Sequence, residues 1–305
     1  MLSFIDSNDV GFVTDGGLET DLLFNHGVDL PHFASFPLLE QTAGTAQLEG
    51  YYAPYAMVAA RAGAGLLLET PTWRANPEWG AQLGYDEAAL TAANRRAVAF
   101  MRTIEARAEI DDVRISGVVG PRGDAYVATA SAVDQAEAYH SAQVRAFAEE
   151  GVDVVHAMTF GTTEEAEGVV RAARTAGVPV MISFTVETNG TLPDGTPLGA
   201  AIERMEASSA ADAYGVNCAH PTHVLSALDG GAWQEHIVGL RPNASVLTHA
   251  ELDEMEVLDT GDLGLLSTSL KQLREQLRNV RVVGGCCGTD VSHVAALWGL
   301  TPVLD

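Results

Sequence analysis

The sequence predicts an α/β protein folded as a single (β/α)8 TIM barrel, with residues 1–305 forming one domain. Three features point there: eight short apolar runs recur along the chain, stretches of helical period separate them, and glycine repeatedly closes a helix before the next apolar run. A closed barrel accommodates eight strand–helix alternations with the right-handed crossovers that such units adopt. An open doubly wound sheet would place a glycine-rich phosphate loop directly after its first strand, and none follows here. Gly63-Ala64-Gly65 has glycines at the right spacing but precedes a strand.

The apolar runs fall at residues 11–14, 65–69, 114–119, 152–157, 179–184, 213–217, 237–240 and 280–284. They are rich in Val, Ile and Leu without polar alternation, as strands buried on both faces should be. Between them, residues 42–62 carry Leu48, Tyr52, Tyr55, Ala56 and Ala59 at helical spacing. Residues 86–109 and 131–150 read similarly, and 164–176 and 263–279 more clearly, the last with Leu266, Leu270, Leu273 and Leu277 on one stripe. Gly63, Gly151 and Gly177 stand where a helix C′ residue belongs. Residues 248–262 are acidic and aperiodic, which predicts a surface loop after the seventh strand.

Composition narrows the function classes. With 47% hydrophobic residues the chain can bury a large core, and 17 Lys+Arg against 41 Asp+Glu give a formal net charge of −24. That charge repels phosphate backbones and anionic lipid, so neither nucleic acid nor membrane is an expected partner. No uncharged apolar run approaches the roughly 20 residues that span a bilayer. The first residues lack the basic and apolar regions of a signal peptide, so the expected location is cytoplasmic. Three cysteines, Cys218, Cys286 and Cys287, argue against a disulfide framework and for metal binding or chemistry.

In a (β/α)8 barrel the chemistry sits at the carboxyl ends of the strands. Asp15-Gly16-Gly17-Leu18-Glu19-Thr20 follows the first strand, and Glu69-Thr70-Pro71-Thr72-Trp73-Arg74-Ala75-Asn76 closes the second. Asn217-Cys218-Ala219-His220-Pro221 follows the sixth, Arg241-Pro242-Asn243 the seventh, and Gly285-Cys286-Cys287-Gly288-Thr289-Asp290 the eighth. All three cysteines therefore lie at strand ends and can converge across the mouth. Three thiolates around one ion with a fourth position open make a catalytic zinc site, because a structural site would close with a fourth protein ligand. Gly284, Gly285 and Gly288 would give the paired cysteines backbone freedom. His220 is either the fourth ligand or a neutral histidine that supports the loop.

These motifs resemble the homocysteine S-methyltransferase family, a family of (β/α)8 barrels. The likeness rests on Val216-Asn217-Cys218 with a following proline and on Gly284-Gly285-Cys286-Cys287-Gly288-Thr289. It extends through Asp15-Gly16-Gly17, Glu69-Thr70-Pro71-Thr72-Trp73, Gly120-Pro121 and the segment from Asn189 to Leu198, nearly the whole chain. The resemblance implies that Cys218, Cys286 and Cys287 bind Zn²⁺ and that an incoming thiol takes the fourth position. The implied activity is a zinc-dependent S-methyltransferase of the EC 2.1.1 type that moves a methyl group from a sulfonium or ammonium donor to that thiol. Homocysteine is the default acceptor, giving methionine and a place in methionine biosynthesis. The implied substrate-binding set is Asp15, Gly16, Gly17, Thr70, Trp73, Met158 and Asn217. Asp15 and the amides of Gly16 and Gly17 hold the acceptor's amino-acid end, Trp73 faces a cationic donor, and Asn217 with Thr289 supports the zinc loops. Arg241 and Asn243 either line the mouth or shape the seventh loop.

Two positions depart from the family pattern. Met158 stands where the family has a glutamate that receives the acceptor's amino group, and Pro71 replaces a frequent asparagine. His156, two residues earlier, cannot restore the lost negative charge. Three readings remain: homocysteine methyl transfer, methyl transfer to another small thiol, and a non-catalytic zinc- or thiol-binding protein. A zinc hydrolase is disfavoured, because three thiolates suit thiol alkylation better than activation of water and no His-x-His pair follows the first strand. The partners implied are a thiol acceptor, a methyl donor and a possible second copy of the chain.

Overall fold

All eight apolar runs form parallel strands: β1 (Phe12–Val13), β2 (Gly65–Glu69), β3 (Val113–Val119), β4 (Val154–Phe160), β5 (Val180–Phe184), β6 (Ala213–Asn217), β7 (Ile237–Arg241) and β8 (Val282–Val283). The computed structural model describes residues 2–6, 8–129 and 131–301, and in it each strand pairs with its sequence neighbours while β1 pairs with β8 to close a barrel. The alternation is that of a (β/α)8 TIM barrel. β1 and β8 are shorter than expected. β4 is longer and runs to Phe160, with its register against β5 shifting between Ala157 and Phe160. That irregularity coincides with Thr159, a non-glycine residue at φ 65°.

Helices Thr42–Ala62, Glu87–Glu105, Val133–Glu149, Thr163–Ala176 and Leu263–Gln276 match the five expected helical stretches within a few residues. Gly63, Gly151 and Gly177 take φ 63°, 69° and 72°, the left-handed conformation that ends a helix cheaply only at glycine. The Leu266, Leu270, Leu273 and Leu277 stripe is buried against the barrel, as are Leu48, Tyr52 and Tyr55. Leu198–Ser208, Pro221–Ala227 and Val291–Leu297 complete the outer ring. Their brevity leaves little period to read.

The two ends of the barrel differ. At the amino ends of the strands, Leu2, Phe4 and Ile5 pack on Phe12, Leu67, Met181, Val238 and Val282, with the Phe4 ring edge-on to Phe12 at 5.3 Å. That end is an apolar plug. The carboxyl ends carry the polar residues. Residues 248–262 also belong to this end and are not a plain surface loop: His249–Asp253 is a helix closed by a Thr248/Glu251 capping box, and Leu252, Met255 and Leu258 line the cavity. Among the described residues no helix is long and apolar enough to cross a membrane.

Candidate metal centre and its cavity

The three cysteines converge. Their sulfurs lie within 4.8 Å of one another, with Cys218 Sγ 3.9 Å from Cys287 Sγ, although 68 residues separate β6's cysteine from the first on β8. Cys218 and Cys286 are joined as a disulfide, Cα atoms 5.4 Å apart, and Cys287 is free. The three sulfurs thus come together as the sequence reading expects. Two sulfurs aimed at one point are also placed to bond to each other, and the reduced form offers all three to an ion. A cluster of three sulfurs this tight could hold a metal ion, and its soft donors suit zinc. His220 lies outside the cluster. Its Nδ1 accepts from the Thr222 amide at 3.2 Å as the N-cap of helix Pro221–Ala227, and burial pulls its pKa down to about 4.

Backbone strain at the cluster is locked by hydrogen bonds. Cys218 sits at φ 54°, a left-handed conformation that costs a cysteine of order 1–3 kcal/mol. Its carbonyl accepts from His249 Nε2 at 2.7 Å, Asn243 Nδ2 at 3.1 Å and Thr185 Oγ1 at 3.3 Å. Asn217 does the same for Thr159: it accepts from the Thr159 amide at 2.7 Å and its Nδ2 donates to Thr159 Oγ1 at 2.7 Å. The Asn217 Nδ2 also lies 3.9 Å from Cys286 Sγ. Thr289 Oγ1 donates to the Cys286 carbonyl at 2.7 Å, which holds the tight turn under the paired cysteines. Of the three glycines around that pair, Gly288 alone supplies unusual backbone geometry, at φ 78°. Gly284 and Gly285 are needed for space, since a Cβ there would strike the Asp15 carbonyl and the Thr289 side chain.

Beneath the cluster lies a buried charge network that sequence patterning does not reveal. Arg241 Nε donates to the Gly285 carbonyl at 2.9 Å and Nη2 to the Gly16 carbonyl at 2.9 Å. Its Nη1 meets Asp15 Oδ1 at 2.8 Å and Glu69 Oε2. One guanidinium thus ties the loops after β1 and β8 to the end of β2. Asp15 also accepts from Tyr51 Oη at 3.1 Å. His156 Nδ1 faces Glu69 Oε1 at 2.6 Å and its Nε2 faces Ser183 Oγ at 2.6 Å, a pairing that the neutral imidazole satisfies on both nitrogens. Burial pulls its pKa down to about 3.

A cavity of about 400 Å³ opens above these groups and is lined by all seven expected substrate-binding residues and all three cysteines. Several of those residues already have partners. The Gly17 amide donates to the Thr289 carbonyl at 3.0 Å, so it is not free to hold an acceptor as expected. Thr70 Oγ1 accepts from the Val118 amide at 2.9 Å. Trp73 Nε1 donates to the Met158 carbonyl at 3.2 Å, and the Arg74 guanidinium carbon sits 4.8 Å over the Trp73 ring. The cation that Trp73 meets is therefore the chain's own. Met158 contributes an apolar patch and no charge. Arg74, Glu19, Tyr126 and His249 also line the cavity although the sequence assigned them no role; the Thr248/Glu251 capping box was the readable signal for His249. Burial pushes the Cys287 thiol up to about 11, with the Glu19 charge adding to the shift.

Residues 12–299 match the family described as homocysteine S-methyltransferase. Homocysteine S-methyltransferase of Escherichia coli K12 is 27% identical over 259 residues, covering 78% of this chain and 80% of that protein. Betaine–homocysteine S-methyltransferase 1 of Rattus norvegicus is 26% identical over 208 residues, 62% of this chain, which spans about half (49%) of the rat protein's length. The metallated form of the homocysteine methyltransferase MmuM from E. coli has the same fold, with a TM-score of 0.76 at 23% identity over 98% of this chain and 99% of that one. Its oxidized form gives 0.74 at 24% identity over 97% of each chain. With the match running from β1 to beyond β8, this chain belongs to the homocysteine S-methyltransferase family.

Proposed function

We propose that this chain is a zinc-dependent thiol S-methyltransferase that takes a methyl group from a sulfonium or ammonium donor, with homocysteine as the default acceptor and methionine as the product. The observation that carries this reading is the convergence of Cys218, Cys286 and Cys287 at the floor of a cavity large enough for a thiol and a small donor. Reduced, the three cysteines would hold zinc and leave one coordination position toward the cavity. A zinc ion held by these cysteines would supply the positive charge that lowers the acceptor thiol's pKa and favours its thiolate. The thiolate sulfur then forms the new S–CH₃ bond as the donor's C–S or C–N bond breaks. The donor leaves as a neutral sulfide or tertiary amine, and the thiol proton goes to solvent. Asp15, which accepts from Tyr51 and pairs with Arg241, is the carboxylate that would receive an acceptor's ammonium group. Asn217 and Thr289 hold the cysteine-bearing loops.

Met158 supports a second reading, in which the acceptor is a different small thiol. The cavity has an apolar patch where the family resemblance calls for a carboxylate. Mass spectrometry of reduced, zinc-loaded protein given homocysteine and each donor class in turn separates the two. Methionine that is lost in a Cys286→Ser variant supports the first. Zinc retention without methionine from any donor, together with methylation of another thiol, supports the second. Zinc retention with no methylated thiol at all would leave a binding protein.

A further inference from the structure

The cavity contains two arginines that differ in what they have left to donate. Arg241 has every guanidinium nitrogen engaged, by Gly285, Thr14, Gly16 and the carboxylates of Asp15 and Glu69. Arg74 has none engaged: among the described residues no hydrogen bond or ion pair reaches it, and its Nε and Nη1 are sealed from solvent without a partner. Its guanidinium carbon lies 3.7 Å from the Trp79 ring centroid and 4.8 Å from that of Trp73. The two indoles fix where the charge sits, but they accept none of its N–H groups. The carboxylates near enough to act on it are Glu19, Asp124 and Asp253, and among the described residues none forms a salt bridge with it.

A half-buried guanidinium with two sealed nitrogens that donate to nothing is costly to keep in a cavity wall unless a ligand completes it. The ligand that matches its planar fork is a carboxylate. We propose that Arg74, clamped between Trp73 and Trp79, is the anchor for a substrate carboxylate. Its position fits, because Arg74 lines the same cavity as Cys218, Cys286 and Cys287. The wall also carries Met158, whose carbonyl Trp73 holds, so recognition on this side runs through the acid end of the substrate and not through an ammonium group. The carboxylate can belong to the acceptor or to a zwitterionic donor; the chemistry at Arg74 is the same. This inference rests on the proposed methyl transfer for which substrates bind there, but its test does not require turnover.

The experiment pairs ligands that differ only in the carboxylate and reads both binding and kinetics in wild type, Arg74→Gln and Arg74→Lys. The acceptor arm uses 4-mercaptobutyrate against 1-butanethiol. The donor arm uses 3-(dimethylsulfonio)propionate against ethyldimethylsulfonium. In one arm wild type should prefer the acid by about 30-fold or more in dissociation constant, and Arg74→Gln should abolish that preference. Arg74→Lys, which keeps the charge without the fork, should recover part of it, and where turnover is seen the change should fall on KM and not on kcat. The arm that shows the effect identifies the source of the carboxylate. Acid preferences that survive unchanged in a folded Arg74→Gln protein, or no acid preference in either arm of the wild type, would overturn the proposal. Absence of methyl transfer with every donor would instead sink the proposed function, and the binding arms would still decide the role of Arg74.

Discussion

Two walls of the same cavity, on opposite sides of the closed barrel, are held in contrasting ways. On the β6–β8 side the backbone that carries the cysteines is braced by side chains: three donors converge on the Cys218 carbonyl, Asn217 locks Thr159, Thr289 braces Cys286, and Arg241 ties the loops after β1 and β8 together. On the side built by the ends of β2 and β4, Met158 offers no hydrogen bond from its side chain and Arg74 has an unpaired guanidinium. On the proposed reading, the first wall is braced to hold the three sulfurs in place for an ion. The second leaves its interactions for an incoming molecule. On that same reading, chemistry and specificity fall to different strands, and a chain could change the second while keeping the first.

The largest effect should follow from breaking the braced wall at its hub. Arg241→Met leaves the carboxylates of Asp15 and Glu69 buried and uncompensated, and should cost about 3–5 kcal/mol in urea unfolding. A smaller loss there would mean that the network is not integral to the fold. The pH dependence of stability examines the same network. His156 titrates near 6.5 in the unfolded chain and near 3 in the folded one, so the unfolded chain binds the extra proton between those values. Stability is therefore full above pH 6.5 and falls as the pH drops toward 3, by up to about 1.4 kcal/mol per pH unit from this group. His156→Gln should remove that share of the slope when acid titrations of the two proteins are compared.

The open wall predicts effects on substrate and not on stability. Met158→Glu adds a carboxylate beside the cavity and should lower KM for homocysteine by about tenfold, the value of one added charge-assisted hydrogen bond. An unchanged KM would mean that the acceptor's ammonium group lies elsewhere. Smallest of all, Asn243→Ala removes one of three donors to the Cys218 carbonyl and should cost about 1 kcal/mol, read as unfolding free energy, because His249 and Thr185 remain.

The same contrast explains what was legible in the sequence. Strands buried on both faces announce themselves as apolar runs, and rare cysteines at strand ends mark the sulfur cluster in the sequence itself. The charge network was not legible, because Glu69, His156 and Arg241 come from three strands and Asp15 from the loop after β1, and only barrel closure brings them together. Arg74, Tyr126 and His249 lie outside the strands, where no period encodes the path of the chain. The pairing of Cys218 with Cys286 likewise followed from convergence in space and not from spacing in the chain.

The central claim is that three cysteine sulfurs hold zinc with a place left for a thiol. Zinc-edge X-ray absorption of the reduced, zinc-loaded protein tests it directly. The predicted spectrum shows three sulfur scatterers at about 2.3 Å, rising to four when homocysteine or another acceptor thiol is added. A site that already has four protein ligands, or a sulfur count that does not change with thiol, would contradict it.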